Sequence, residues 1–293
     1  METVGFVGLG TIGAVVARNI QKAGYAMVVH DIVPAAARPL VESGARLAAS
    51  AAEVARDCRV VFTSLPGPRE VEAVALGASG LVHGVRDGGI YVDLSSSSAD
   101  LIRRVASEFA AHGARVMDAP LIVGRNGIAN RSVQVLASGN LDTYNEVKPL
   151  LEDVGPKVTY VGGNGLAVSM KIAVNLSLAV QMLAFSEGVL LAEKSGISRK
   201  TAVEVLTNSV VASPMVQYRG PFVLGLPDEV WFSVNMMQKD MSLALEMGRE
   251  LSVPLPTTAV TNEFLTAARG AGLSEKDFAA LFHLLARLSG VSA

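Results

Sequence analysis

Two places in this sequence carry residue types at spacings that could do chemistry. The first is Gly8-Leu9-Gly10-Thr11-Ile12-Gly13, with Asp31 following at the end of the next apolar run. Glycine at these three positions permits a tight turn at Gly8, close approach of a pyrophosphate at Gly10, and close helix-strand packing at Gly13. The unpaired N–H groups opening the next helix would face the pyrophosphate charge. Asp31 can accept hydrogen bonds from both hydroxyls of an adenosine ribose and would repel a 2′-phosphate; the nearest downstream arginine is Arg38. The pattern points to NAD rather than NADP. The second place is Lys171 and Asn175, four positions apart and so on one helix face. A lysine among Met170, Ile172, Ala173 and Val174 loses water if its helix is buried. Desolvation favours its neutral form, which suits proton transfer beside a carbon that exchanges hydride. A lysine snorkelling along an apolar surface has the same neighbours, so spacing alone does not decide.

Those residues need elements to hold them. Apolar runs at 3–7, 26–30, 60–64, 90–94 and 115–118 carry Val and Ile on successive positions. That is the pattern of parallel strands covered on both faces, and the helical stretches between them predict an open α/β domain. Thr63-Ser64-Leu65-Pro66-Gly67-Pro68 and Asp93-Leu94-Ser95-Ser96-Ser97-Ser98 each follow such a run. Open sheets bind ligands outside the carboxyl ends of their strands, so both loops could border a cofactor. The serines could equally cap a helix beginning near Asp100. Beyond Gly162 the character changes to helices, expected at 165–194, 235–251, 257–269 and 277–288. The spacing predicts a dinucleotide-binding domain over 1–162 and an all-helical domain over 163–293. Apolar residues cover more than a stripe of the 165–194 helix, which places it centrally in its domain or against another subunit; a homodimer is expected.

Composition narrows the class. The chain has 293 residues, 50% apolar and 18% charged, with a net charge of -2, which excludes a disordered chain and a basic nucleic-acid surface. Cys58 stands alone, so no internal disulfide is expected and a reducing compartment fits. No basic segment precedes the first apolar run, so a cytoplasmic protein is expected. The apolar run 172–185 is short for a bilayer span and contains Asn175, Ser177 and Gln181, so no membrane partner is expected. His30, His83, His112 and His283 lack metal-ligand spacing, and no metal is expected.

With these motifs in place, the chain resembles the β-hydroxyacid dehydrogenase family, which includes 3-hydroxyisobutyrate dehydrogenase and tartronate semialdehyde reductase. The resemblance runs through Gly5–Tyr25, TSLPGP at Thr63–Pro68, DLSS at Asp93–Ser96 and DAP at Asp118–Pro120. It continues in GGNGLAVSMKIAVN at Gly162–Asn175 and QKDMSLALEMGRELSVPLP at Gln238–Pro256. It implies a Rossmann-like α/β N-terminal domain, a long interdomain helix and an all-α C-terminal domain used for dimerisation, as a dimer or a dimer of dimers. The family's catalytic lysine falls on Lys171 and its asparagine partner on Asn175. Leu65, Pro66 and Ser96 match cofactor-loop positions. Lys239 resembles the lysine that reaches the nicotinamide, and Asp240 looks like its structural partner. The implied activity is NAD-dependent interconversion of a small β-hydroxyacid with its aldehyde or ketone, with Lys171 as general acid and base.

One segment departs from the family. Where its substrate loop reads DAPVSGG, this chain has Leu121, Ile122, Val123 and Gly124, followed by Arg125 and Asn126. The serine and glycine that hold a substrate carboxylate have become Ile122 and Val123, which cannot donate from their side chains. Either Arg125 takes over the anion, as a bidentate guanidinium could, or the substrate is less polar or an imine. Outside enzymes, a non-catalytic cofactor-binding or protein-interaction module could use the same fold, and the lysine at 171 counts against it.

Overall fold

The computed structural model describes residues 2–123, 127 and 132–291. Gly124, Arg125 and Asn126 lie outside the described residues. The chain divides into units 1–171 and 172–293.

In the first unit the expected apolar runs are strands: β1 (Thr3–Val7), β2 (Ala26–His30), β4 (Val60–Thr63), β5 (Ile90–Asp93) and β6 (Arg115–Asp118), with a two-residue β3 (Arg46–Leu47). They are parallel, in the order β3-β2-β1-β4-β5-β6. Every residue of β4 and β5 is buried, as unbroken apolar strands require. Intervening helices α1 (Gly13–Lys22), α2 (Pro34–Glu42), α3 (Ala51–Asp57), α4 (Pro68–Leu76) and α5 (Ala99–Ala110) supply the covering faces. One core cluster joins Phe6, Val16, Ile20, Val29 and Phe62; another joins Val7, Val54, Val61, Tyr91 and Phe109 on separate residues of the same strands. The strand order reverses between β1 and β4, and there the carboxyl ends of three strands converge. Val7 pairs with His30 on one side and Thr63 on the other.

The sheet extends beyond the expected strands. β7 (Leu121–Val123) pairs antiparallel with β8 (Val133–Ser138), β8 touches β6 at Asp118↔Ser138, and β9 (Lys157–Gly162) runs parallel to β8 after α6 (Leu141–Val154). β9 has no fully buried residue, so its composition lacks the unbroken apolar signature of the inner strands.

Helix α7 (Leu166–Lys194) is a single 29-residue element. By length and composition it could cross a membrane, which its apolar run 172–185 alone could not. Its Ala179, Met182, Leu183, Phe185, Val189 and Leu190 instead belong to the core of the second unit. That core is completed by α8 (Arg199–Thr207), α9 (Pro214–Arg219), α10 (Val234–Glu250), α11 (Pro256–Gly270) and α12 (Leu281–Leu288). At its centre the Arg219 guanidinium lies 3.2 Å from Asp277 and 4.2 Å over the Phe278 ring. Asp277 also caps the 3-10 turn that leads into α12, accepting from the Ala279 N–H at 3.0 Å.

Candidate functional site

The turn between β1 and α1 is built by its glycines. Gly8 has φ +91°, the left-handed region that suits glycine, and a Cβ there would strike the Ser64 carbonyl. At Gly13 a Cβ would overlap the Gly8 carbonyl oxygen, so the turn folds tightly onto the start of its own helix. At Gly10 an added Cβ would meet no described atom within 4 Å. Gly10 and Thr11 are exposed, and α1 opens without a side-chain cap and without an acidic residue in its first turn. An uncapped helix N-terminus beside open space is a fitting seat for a pyrophosphate. Leu9 turns inward to the core, while Ile12 is 38% exposed.

Asp31 stands at the end of β2 with its carboxylate already organised. The Leu9 N–H donates to Oδ2 at 2.6 Å and the Val33 N–H to Oδ1 at 2.7 Å. Each oxygen keeps acceptor capacity for a hydroxyl, so the group fits a ribose diol. Beside it the exposed residues are Ile32 and Val33, with no guanidinium among them.

The loops after β4 and β5 are joined by a buried polar chain. The Leu65 N–H donates to Ser95 Oγ at 2.9 Å, and Ser95 Oγ donates to Asp93 Oδ1 at 2.6 Å. The Ser95 N–H and Thr63 Oγ1 donate to that same oxygen at 3.1 and 2.7 Å. Burial pushes the Asp93 carboxyl up to about 6, against the downward pull of Ser95 and Thr63, and Asp118 on the neighbouring strand adds to the rise. Pro66 is exposed and Ser96 half-buried at the rim of these loops.

The start of α7, the lysine-bearing helix, is fixed by the sheet. Its cap position is Gly165, which has φ +91° and no side chain to cap with. Asp118 at the end of β6 substitutes: Oδ1 accepts from the Gly165 N–H at 3.0 Å and Oδ2 from the Val168 N–H at 3.1 Å. Ser138 at the end of β8 accepts from the Ala167 N–H at 2.9 Å, and the Gly163 carbonyl accepts from Leu166. The orphan donors of the first turn are therefore all met. Burial raises the Asp118 carboxyl, opposed by its bonds from Gly165, Ser138 and Val168.

Lys171 is half-buried one turn further along α7, and Asn175 one turn beyond it is buried. In the second unit Asn175 Nδ2 donates to Asp240 Oδ2 on α10, while Asn175 Oδ1 has no described partner. The Lys239 ammonium lies 3.1 Å from Asp240 Oδ1. Asp240 thus holds both Asn175 and Lys239. The segment expected to bind substrate begins as strand β7, with Leu121 packed into the sheet core, Ile122 half-buried and Val123 36% exposed. Sequence reasoning gave no role to Asp118 or Ser138, and placed Asp93 and Ser95 only in a loop that could border a cofactor or cap a helix. Their partners lie 29 to 50 residues away, apart from the Asp93–Ser95 pair itself, so local pattern could not reveal them.

Comparison with known proteins agrees with this geometry. Residues 3–162 match the NAD binding domain of 6-phosphogluconate dehydrogenase, and residues 165–285 match the NAD-binding family of NADP-dependent 3-hydroxyisobutyrate dehydrogenase. Glyoxylate/succinic semialdehyde reductase 1 of Arabidopsis thaliana is 31% identical over 278 residues, covering 95% of this chain and 96% of that one. Among solved structures, 3-hydroxyisobutyrate dehydrogenase of Salmonella typhimurium superposes with a TM-score of 0.85 at 27% identity, covering 97% of this chain and all of that one. The Mycobacterium tuberculosis 3-hydroxyisobutyrate dehydrogenase gives a TM-score of 0.84 at 27% identity, covering 97% and 99%.

Proposed function

The chain belongs to the β-hydroxyacid dehydrogenase family of NAD(P)-dependent oxidoreductases, and from that footing we propose that it interconverts a small β-hydroxyacid, or a similar anionic alcohol, with its aldehyde or ketone. The supporting observation is the run of Lys171 and Asn175 along α7, with Asp240 engaging Asn175 Nδ2 and leaving Oδ1 for another donor. A dinucleotide held by the Gly8–Gly13 turn and Asp31 would supply the hydride acceptor and donor for the carbinol carbon. On oxidation, Nζ of neutral Lys171 takes the hydroxyl proton as the O–H and C–H bonds break and the C=O bond forms. In reverse, the Lys171 ammonium returns that proton to oxygen, and its charge stabilises the negative charge building there. Asn175 Oδ1 accepts from the substrate hydroxyl or from the lysine and so orients the exchange.

The preferred cofactor is NAD. Asp31, with both oxygens already drawing backbone N–H groups, favours a ribose diol and disfavours a phosphate in its place. The names of relatives, a glyoxylate/succinic semialdehyde reductase and two 3-hydroxyisobutyrate dehydrogenases, support a short acidic substrate. One observation favours a second reading, a less polar carbonyl or imine: Ile122 and Val123 place partly exposed apolar side chains where the family's substrate loop is polar. A homodimer through the helical unit belongs to the same proposal. Leu191 is 75% exposed over buried Leu190 and Leu285, among Glu187, Lys194 and Ser289, and a second copy would cover it.

The test is a turnover screen of hydroxyacids, their aldehydes, uncharged alcohols and cyclic imines with NADH and NADPH, on the wild type and Lys171→Ala. The variant should lose roughly a hundredfold to ten-thousandfold in kcat, with NADH affinity within about threefold of wild type. Unchanged turnover would remove Lys171 from the chemistry. Activity confined to uncharged substrates would favour the second reading.

A further inference from the structure

We propose that Asp93 and Ser95 are positioning residues that set cofactor affinity by fastening the loop after β4 to the loop after β5. The inference rests on the reading that these loops border the dinucleotide. Thr63 and Asp93 are the paired last residues of their strands, and the Leu94 N–H still donates to the Thr63 carbonyl in the manner of the sheet. Beyond that point the backbone leaves the ladder. The Leu65 N–H is the first donor of the β4 loop to turn away, and it donates to Ser95 Oγ. Ser95 acts as a relay: its lone pair receives Leu65 and its proton goes to Asp93 Oδ1.

The direction of this chain depends on Asp93. One carboxylate oxygen gathers donors from Thr63 Oγ1, Ser95 N and Ser95 Oγ, while Oδ2 is buried with no described partner. Tyr91 OH extends the line behind Thr63 at 3.0 Å. Thr63, Asp93 and Ser95 are all buried. A carboxylate held with one oxygen unpartnered is an expensive way to join strands that backbone bonds already join. It is well suited to holding a loop whose amide has no other partner, because a charged acceptor strengthens each bond of the relay. Leu65 and Pro66, carried on the fastened loop, are the residues that would meet the cofactor.

The experiment measures NADH dissociation constants by fluorescence, and NAD KM and kcat, on full-length wild type, Ser95→Ala, Ser95→Thr, Asp93→Asn and Gly10→Ala. Ser95→Ala should weaken NADH by about tenfold, the loss of one buried relay, with kcat at saturating NAD within about threefold. Ser95→Thr keeps the hydroxyl and should return affinity to within about threefold of wild type. Asp93→Asn keeps an acceptor oxygen and removes the charge, and should move the constant in the same direction as Ser95→Ala. It is also the fallback if Ser95→Ala does not fold. Gly10→Ala reports on the underlying reading, because its methyl meets no described atom and would occupy the space the reading gives to the pyrophosphate. Unchanged affinity in Ser95→Ala and Asp93→Asn, beside a weakened Gly10→Ala, would overturn the loop proposal and leave the cofactor site standing. Unchanged affinity in Gly10→Ala as well would overturn the site reading beneath it.

Discussion

Replacing Asp118 with alanine tests how α7 is held. The carboxylate receives two backbone donors, Gly165 N–H at 3.0 Å and Val168 N–H at 3.1 Å, both buried. A hydrogen bond to a charged acceptor contributes about 1.5–3 kcal/mol, so the two together contribute about 3–6 kcal/mol. Burial of the carboxylate works the other way, as the upward pull on its proton affinity shows. The lower end of the range, about 3 kcal/mol, is the expected loss. Ser138→Ala removes the neutral bond to the Ala167 N–H, about 1 kcal/mol, together with its own hydroxyl's bond to the Asp118 carboxyl. With two units in the chain, global unfolding need not be a single transition, so amide exchange in the first turn of α7 is the better assay. In Asp118→Ala, exchange at Gly165 and Val168 should accelerate by about a hundredfold, and by less in Ser138→Ala, which leaves both of those donors their carboxylate. Turnover should fall with it, because Lys171 stands one turn beyond Val168. Wild-type exchange rates in Asp118→Ala, with full turnover, would refute the claim that the sheet fixes this helix.

Other outcomes follow from the same geometry. Asp31→Ser should lower the NAD-to-NADP ratio of kcat/KM by about two orders of magnitude, through lost ribose acceptors and relieved repulsion; a ratio within threefold of wild type would discard Asp31 as the selector. Asp93 carries a pH signature. Its carboxyl moves from an ordinary 3.8 to about 6 on folding, so its protonated form contributes stability that is whole below pH 3.8 and lost as pH rises through about 6. The stability of wild type relative to Asp93→Asn should therefore fall by about 3 kcal/mol between pH 3.5 and 7, and a flat difference in denaturant titrations would contradict this. Cys58, pushed up to about 12 mainly by burial, should resist a thiol reagent at pH 8 until the protein unfolds. Rapid labelling of the native protein would contradict its burial.

Much of the fold was legible because its signals are local. Five inner strands announce themselves by short, mostly apolar runs, and the glycine turn by three positions within one short segment. α7 was legible from its proline-free, apolar length, although its first turn was not: Gly165 reads as a linker residue and acts as a helix cap whose capping groups lie elsewhere. β7 and β9 were not read as strands, since one has three residues and the other no buried face. For the candidate site, type and spacing singled out Lys171, Asn175 and Asp31, without deciding between a buried and a snorkelling lysine. Asp118 could be quoted as a motif letter but given no role, and Asp93 placed only in a loop that could border a cofactor. A buried carboxylate is recognised by what donates to it, and most of these donors arrive from other strands and from the start of α7.

The three glycines of the first turn answer to different constraints, and that has an evolutionary consequence. Every missense change at a glycine codon adds a Cβ. At Gly13 that atom collides with the Gly8 backbone whether or not a ligand is ever bound, so purifying selection there follows from the need to fold. At Gly10 it collides with no described protein atom, so a bound dinucleotide supplies the constraint that packing does not. A descendant of this chain that kept its scaffold and abandoned its cofactor would be free to drift at Gly10 while remaining frozen at Gly13. The two positions together form a molecular fossil record of whether binding has been retained.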